Sequence, residues 1–192
     1  MSKKFIVLGN QNAITYKGIF PLIKDSKIWL GCSTPKEFMT PLSEVENPKT
    51  QYKREDGKVM QKFGNICWFT NLDHKKRHYK MDFYKMWSRC ADEYQKYDNY
   101  DAINVDKTCD IPLGYKGVLG VPITFLDKYC PEQFEILDAR DFAYYDKQKK
   151  KETYLIKDAD GAINGKPTYA RILIRFRDGE GEEIKEDSNV QT

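Results

Sequence analysis

The chain has 192 residues, 40% of them hydrophobic and 32% charged, which is enough apolar material for a packed core and excludes a globally disordered chain. The formal net charge of +3 is unevenly placed: Asp178 to Thr192 hold six acids and one lysine, and positions 1–177 carry 31 basic and 23 acidic residues, a net of +8. A body of that sign favours polyanions through counterion release. No apolar run approaches the ~18 residues that span a bilayer. Five widely spaced cysteines (Cys32, Cys67, Cys90, Cys109 and Cys130) contain no CxxC pair and fit free thiols in a reducing, cytoplasmic setting.

Phe5 to Leu8 is a continuous apolar run that predicts a buried strand, of the kind found in parallel sheets. It is too short for the core of a signal peptide. Ala13 to Lys24 carries Ile14, Ile19, Leu22 and Ile23 around Pro21, which predicts a short or bent helix. Lys27 to Leu30 predicts a second strand. This strand, helix and strand order is that of an α/β sheet. Ser33 to Lys62 contains Pro35, Pro41 and Pro48 among many charges, and reads as a long loop with one hairpin at Asp56-Gly57. Asn65 to Leu72 regains strand character.

Asp73-His74-Lys75-Lys76-Arg77-His78-Tyr79-Lys80 is the most basic stretch. Ala102 to Val105 predicts a short strand, Gly114 to Gly120 a tight turn system, Pro122 to Tyr129 a helix with proline in its first turn, and Phe134 to Leu137 a strand. Lys147 to Lys151 holds four lysines. Asp160-Gly161 and Asn164-Gly165 are hairpin signals. From Tyr169 to Phe176 the sequence alternates, which predicts a strand with Arg171 and Arg175 on an outward face. The acidic stretch after Asp178 is expected to be disordered.

The chemistry-bearing patterns are sparse. Gly9 follows a strand, but no GxGxxG pattern accompanies it, so a plain strand-to-turn junction is the better reading. His74 and His78 stand four apart, yet the cations between them and the absence of a third ligand argue against a metal. Phosphate contact suits Lys75, Lys76, Arg77 and His78, and a solvated face suits them as well. With two histidines, both in this stretch, and no GxSxG, no complete catalytic constellation is visible. Arg171 and Arg175 stand roughly 13 Å apart along a strand, within reach of neighbouring phosphates or base edges, although outward arginines are also an ordinary solubility device.

Several stretches together resemble one known family. They are Lys4-Phe5-Ile6-Val7-Leu8-Gly9-Asn10-Gln11-Asn12-Ala13-Ile14-Thr15-Tyr16-Lys17, Ile19-Phe20-Pro21-Leu22-Ile23, Ile28-Trp29-Leu30-Gly31 and Gly64-Asn65-Ile66-Cys67-Trp68-Phe69-Thr70-Asn71-Leu72. Next come Tyr97-Asp98-Asn99-Tyr100-Asp101-Ala102-Ile103, Gly120-Val121-Pro122-Ile123-Thr124-Phe125-Leu126-Asp127-Lys128-Tyr129 and Gln133-Phe134-Glu135-Ile136-Leu137. The last are Ile163-Asn164-Gly165-Lys166 and Tyr169-Ala170-Arg171-Ile172-Leu173-Ile174-Arg175. In that order they resemble the EcoRI-type adenine-specific DNA methyltransferases.

The resemblance implies a partial class I methyltransferase (Rossmann-like) α/β sheet over residues 1–72, including the long loop. A smaller mixed α+β region for DNA recognition would follow over 73–177, with the acidic tail at 178–192. It implies S-adenosylmethionine as cofactor, double-stranded DNA as partner, and a restriction-modification role. In the family the first half carries the cofactor loop and an Asn-Pro-Pro-Phe-like catalytic motif. This chain contains neither, and no Pro-Pro at all. The chain thus looks like the C-terminal half, and a separate N-terminal methyltransferase half is its expected partner. A stand-alone DNA-binding module or a decayed remnant is the alternative. Trp68 and Phe69 resemble the aromatic segment that borders the flipped base, while strand alternation requires one of them to be core. If half a sheet is absent, the Phe5–Leu8 strand is expected to expose an apolar, unpaired side, with self-association as the result.

Overall fold

A computed structural model describes residues 3–41, 51–98, 100–137, 155–156, 162–168 and 171–182. It divides into two compact units, Met1–Lys75 and Lys76–Thr192. Both are mixed α/β, with several small sheets and few helices.

In the first unit, β1 (Ile6–Asn10) runs into a 3-10 turn at Gln11–Thr15. Asn10 starts that turn by accepting the Asn12 amide on its side chain at 2.8 Å, satisfying a donor the turn leaves over. Helix α1 (Phe20–Lys24) has Pro21 in its first turn, where the missing N–H costs nothing. It ends at Asp25, and Ser26 then takes a positive φ of 52°. The short or bent helix expected over Ala13 to Lys24 is a short helix at Phe20–Lys24, preceded by a separate 3-10 turn. Strands β2 (Trp29–Leu30), β3 (Glu37–Met39), β4 (Gln51–Lys53), β5 (Val59–Lys62) and β6 (Ile66–Thr70) complete the unit.

Two three-stranded sheets result, ordered β1-β6-β2 and β3-β5-β4. The second corrects the reading of Ser33 to Lys62 as a long loop with one hairpin: the hairpin at Gly57 joins β4 to β5, and β3 adds a third strand. In the first sheet β6 pairs antiparallel with both neighbours, placing Val7 and Leu30 beside Phe69. Ile14, Phe20, Ile23, Ile28, Leu30, Cys67 and Phe69 are buried. The expectation of a buried strand in a parallel sheet fails at β1. Its one partner among the described residues is antiparallel, and Ile6, Val7 and Leu8 are 60%, 52% and 40% exposed. The exposed apolar side expected of an incomplete sheet is present.

The second unit contains β7 (Lys85–Met86), α2 (Trp87–Cys90), β8 (Ala102–Asn104), β9 (Pro112–Leu113), β10 (Val118–Pro122), β11 (Phe134–Ile136), β12 (Leu155–Ile156), β13 (Ala162–Ile163), β14 (Lys166–Pro167) and β15 (Arg171–Phe176). Its main sheet runs β11-β15-β10-β8, with β12 also on β15. The pairings of β15 are antiparallel, whereas β8 and β10 are parallel. The glycine-rich stretch from Gly114 is not a turn throughout, because β10 begins at Val118. Pro122 precedes a 3-10 turn at Ile123–Asp127 in place of the expected helix. Asn164 and Gly165, with φ of 52° and 72°, close the β13–β14 hairpin as its sequence predicts.

Both faces of β15 are covered. Leu173 packs with Tyr97, Ala102, Leu137 and Ile163. On the other face Phe176 meets Phe134 at 4.6 Å between ring centroids, and Phe125 meets Phe134 at 5.3 Å. Gly120, in the middle of β10, makes room for Tyr97, whose hydroxyl lies 2.5 Å from where a Cβ would sit. Asp160-Gly161, Lys147 to Lys151 and the tail beyond residue 182 lie outside the described residues.

Candidate nucleic-acid interface

Alternation along β6 sends its two aromatics to opposite faces. Phe69 is buried, its ring 3.0 Å from where a Cβ on Gly9 would lie, so it is a core residue. Trp68 faces the other way and is half-buried, with its carbonyl accepting the Gly31 amide at 2.8 Å.

The basic stretch forms a 3-10 turn at Lys75–His78. His74 precedes it, its Nε2 donating to Leu30 O at 2.9 Å, while its buried Nδ1 has no hydrogen-bond partner among the described residues. Lys75 is exposed and Arg77 half-buried. Lys76 Nζ is 2.7 Å from Asp127 Oδ1, and His78 Nδ1 is 2.7 Å from Glu132 Oε1. Glu132 also accepts from the Cys130 thiol at 3.1 Å. Partial burial raises the Glu132 carboxyl, but the hydrogen bonds from Cys130 and His78 outweigh it and bring it down to about 2. Burial pushes the Cys130 thiol up. A thiol that is fully buried and held protonated is not a nucleophile. Lys76 is thus partly neutralised, and His78 is hydrogen-bonded to a carboxylate, through partly exposed pairs that contribute little and exchange readily for other anions.

The two arginines of β15 separate. Arg175 is exposed, with Nη2 3.0 Å from Glu135 Oε2. Arg171 is only 9% exposed, which corrects the outward placement expected from alternation. Its Nε donates to Asn104 Oδ1 and its Nη2 to Asp106 Oδ1, each at 3.1 Å. Tyr97 donates to the same Asn104 oxygen at 2.7 Å. Burial pushes the Tyr97 hydroxyl well above the usual tyrosine range, against the opposing charge of Arg171. Arg171 is therefore a buried connector of β15 to the segment after β8, and of the two only Arg175 presents its charge to solvent.

Near Arg175 lies a cavity of about 220 Å³ whose walls include Tyr115, Lys116, Arg175 and Arg177, with Asp178 and Glu180 opposing them. Arg177 donates to Pro131 O at 2.6 Å, and Lys80 pairs with Glu180. Sequence reasoning missed Lys116 and Arg177. Neither sits in a basic run, and their convergence comes from the turn after β15, where Gly114 donates to Gly181 O. No group of three or more potential metal-ligating side chains occurs among the described residues. No helix there is long and apolar enough to cross a membrane.

The family model for the adenine-specific methyltransferase EcoRI matches residues 1–177. The chain belongs to that family. It is 41% identical over 177 residues to the type II methyltransferase M.EcoRI of Escherichia coli, covering 90% of this chain and 50% of the relative. It is 36% identical over 183 residues to a type II methyltransferase of Mycoplasma genitalium and 32% identical over 182 residues to M.MpnI of Mycoplasma pneumoniae, 57% of each relative being covered. The chain spans about half the length of these curated relatives. No solved structure matches it significantly.

The described residues do not by themselves fit S-adenosylmethionine. At the end of β1 the space over Gly9 is taken by the Phe69 ring, and the chain turns at once into a capped 3-10 turn. No glycine-cradled helix N-terminus follows to receive a ligand.

Proposed function

We propose that this chain is the DNA-binding and target-recognising part of an S-adenosylmethionine-dependent, adenine-specific DNA methyltransferase of restriction-modification type. The observation that carries this reading is the match of residues 1–177 to the family while the chain spans only half of its relatives. Cofactor and catalytic acceptors would come from the other half, as a separate partner, because no Asn-Pro-Pro-Phe motif is present here. In this reading the β1-β6-β2 sheet is the margin of a Rossmann-like sheet, and the region from Asp73 onward faces double-stranded DNA.

A base that is to be methylated leaves the helical stack and must be held in a dry pocket. Half-buried Trp68 suits the rim of such a pocket, and Phe69 holds the strand that presents it. Lys75, Lys76, Arg77, His78 and Arg175 supply charge for phosphates. Arg171 contributes by fixing β15. A second reading, a DNA-binding module acting alone, draws support from the second unit, which has its own closed core.

Fluorescence anisotropy of a labelled duplex, titrated with the full chain across a salt series, tests the proposal. Binding should weaken with a log–log slope of about −0.9 per phosphate contacted, and Lys75→Glu with Arg175→Glu should flatten that slope. Absence of binding at low salt would refute it.

A further inference from the structure

We propose that the acidic turn after β15 is an autoinhibitory clasp, in which Asp178, Glu180 and Glu182 hold cations of the DNA-facing surface, so that a polyphosphate chain such as the DNA backbone must displace them to bind. The inference rests on the proposed function and deepens it by naming how that surface is regulated.

The turn has a defined seat. β15 ends at Phe176, and Arg177 is pinned twice, its amide donating to Gln133 O at 3.1 Å and its Nε to Pro131 O at 2.6 Å. The Glu180 amide returns to Arg177 O at 2.9 Å and closes the turn. Gly179 and Gly181 take φ of 79° and 76°, a region that residues with a Cβ rarely enter. Gly181 also lies so close to the Phe176 ring that no Cβ would fit, and its carbonyl accepts the Gly114 amide at 2.6 Å. A merely solvated acidic run needs no such seat.

That seat brings opposite charges together. Glu180 pairs with Lys80, the last cation of the basic stretch that begins at Lys75. The two are 100 residues apart in sequence, so the pair exists only while the turn is seated. Asp178, Glu180 and Glu182 line the cavity of about 220 Å³ whose walls also carry Lys116, Arg175 and Arg177. Carboxylates and phosphates compete for the same cationic donors. Those cations are exposed, so each contact is weak and reversible. A tethered carboxylate still occupies them, because the chain presents it at high effective concentration. The family match ends at residue 177, so the clasp is an addition to the body that the family shares.

The test is fluorescence anisotropy with the full chain across a salt series, using a labelled duplex and, as a second probe, labelled inorganic polyphosphate. A variant carrying Asp178→Asn, Glu180→Gln and Glu182→Gln should bind the duplex about threefold or more tighter at low salt, and the gain should fade as salt rises. Asp25→Asn, Glu55→Gln and Asp56→Asn together remove the same charge from exposed positions of the first unit, and should tighten binding by less than about 1.5-fold. In a Lys80→Ala background, Glu180→Gln should no longer tighten binding. Hydrogen exchange reads the displacement itself: the Gly114 amide should exchange about tenfold faster once duplex is bound.

Duplex binding that the acidic-turn variant leaves unaltered, or an equal gain from the first-unit variant, would overturn the clasp and leave the functional reading intact. So would a gain from Glu180→Gln that persists without Lys80, or a Gly114 amide whose exchange the duplex does not quicken. Polyphosphate separates the two claims. Polyphosphate binding that tightens in the acidic-turn variant, with no duplex binding by either form, would remove the functional reading and leave the clasp. Binding of neither probe by any form would overturn both.

Discussion

Strands β1 and β15 invert the usual relation between sequence and burial. In β1, Ile6, Val7 and Leu8 stand 40–60% exposed, whereas in β15 an arginine is 9% exposed. The difference lies in what surrounds each strand. β15 has strands along both edges and packed side chains on both faces, so a charged residue placed there must find Asn104 and Asp106 as partners. Among the described residues β1 pairs with one strand, and Ile6, Val7 and Leu8 are left largely exposed. Burial is a property of layers, and an apolar run records the layers a strand is meant to have.

The contrast can be broken most strongly in the core. Phe134→Ala, inside the ring cluster with Phe125 and Phe176, should destabilise the second unit by about 3–5 kcal/mol. Ile6→Ala should shift stability by no more than about 0.5 kcal/mol. Chemical denaturation of both variants checks this, and equal costs would show that β1 is as well packed as β15. Next in size, Arg171→Met should cost about 1–3 kcal/mol by orphaning its partners, while Arg175→Ala, in an exposed ion pair, should cost about 0–1 kcal/mol. Gly120→Ala drives a methyl group into the Tyr97 hydroxyl and should lower stability by about 1–3 kcal/mol, an effect that Tyr97→Phe would only partly relieve.

The smallest expected effect is acid dependence at Glu132. Its folded value is held below its unfolded one, so the stabilisation is complete above roughly pH 4.5 and is lost as pH falls through about 2. The carboxylate is nearly half exposed, so solvent screening keeps the effect small. Melting curves between pH 5 and 2 should be slightly flatter for Glu132→Gln than for the unaltered chain.

Much of the strand inventory was legible. Phe5–Leu8, Lys27–Leu30, Asn65–Leu72, Ala102–Val105 and Phe134–Leu137 each overlap an observed strand, because branched and aromatic runs bounded by turns have few other solutions. The Asn164-Gly165 hairpin followed from two positive φ angles that this pair tolerates. The β3-β5-β4 sheet escaped because its strands are short and charged, and their pairing links residues up to 25 positions apart. At the candidate site, local pattern found Lys75 to His78, but their carboxylate partners Asp127 and Glu132 lie some 50 residues away. Alternation placed Arg171 outward because period two distinguishes two faces without saying that both are covered. It did require one of Trp68 and Phe69 to be core, which Phe69 is.

A chain that supplies one part of a methyltransferase needs the other part for activity. The direct measurement is transfer of labelled methyl groups from S-adenosylmethionine to adenine in duplex DNA, by this chain, by the unmatched half of the Escherichia coli relative, and by the two mixed. The predicted result is transfer by the mixture alone. Transfer by this chain on its own, or none by a mixture shown to associate, would contradict the account.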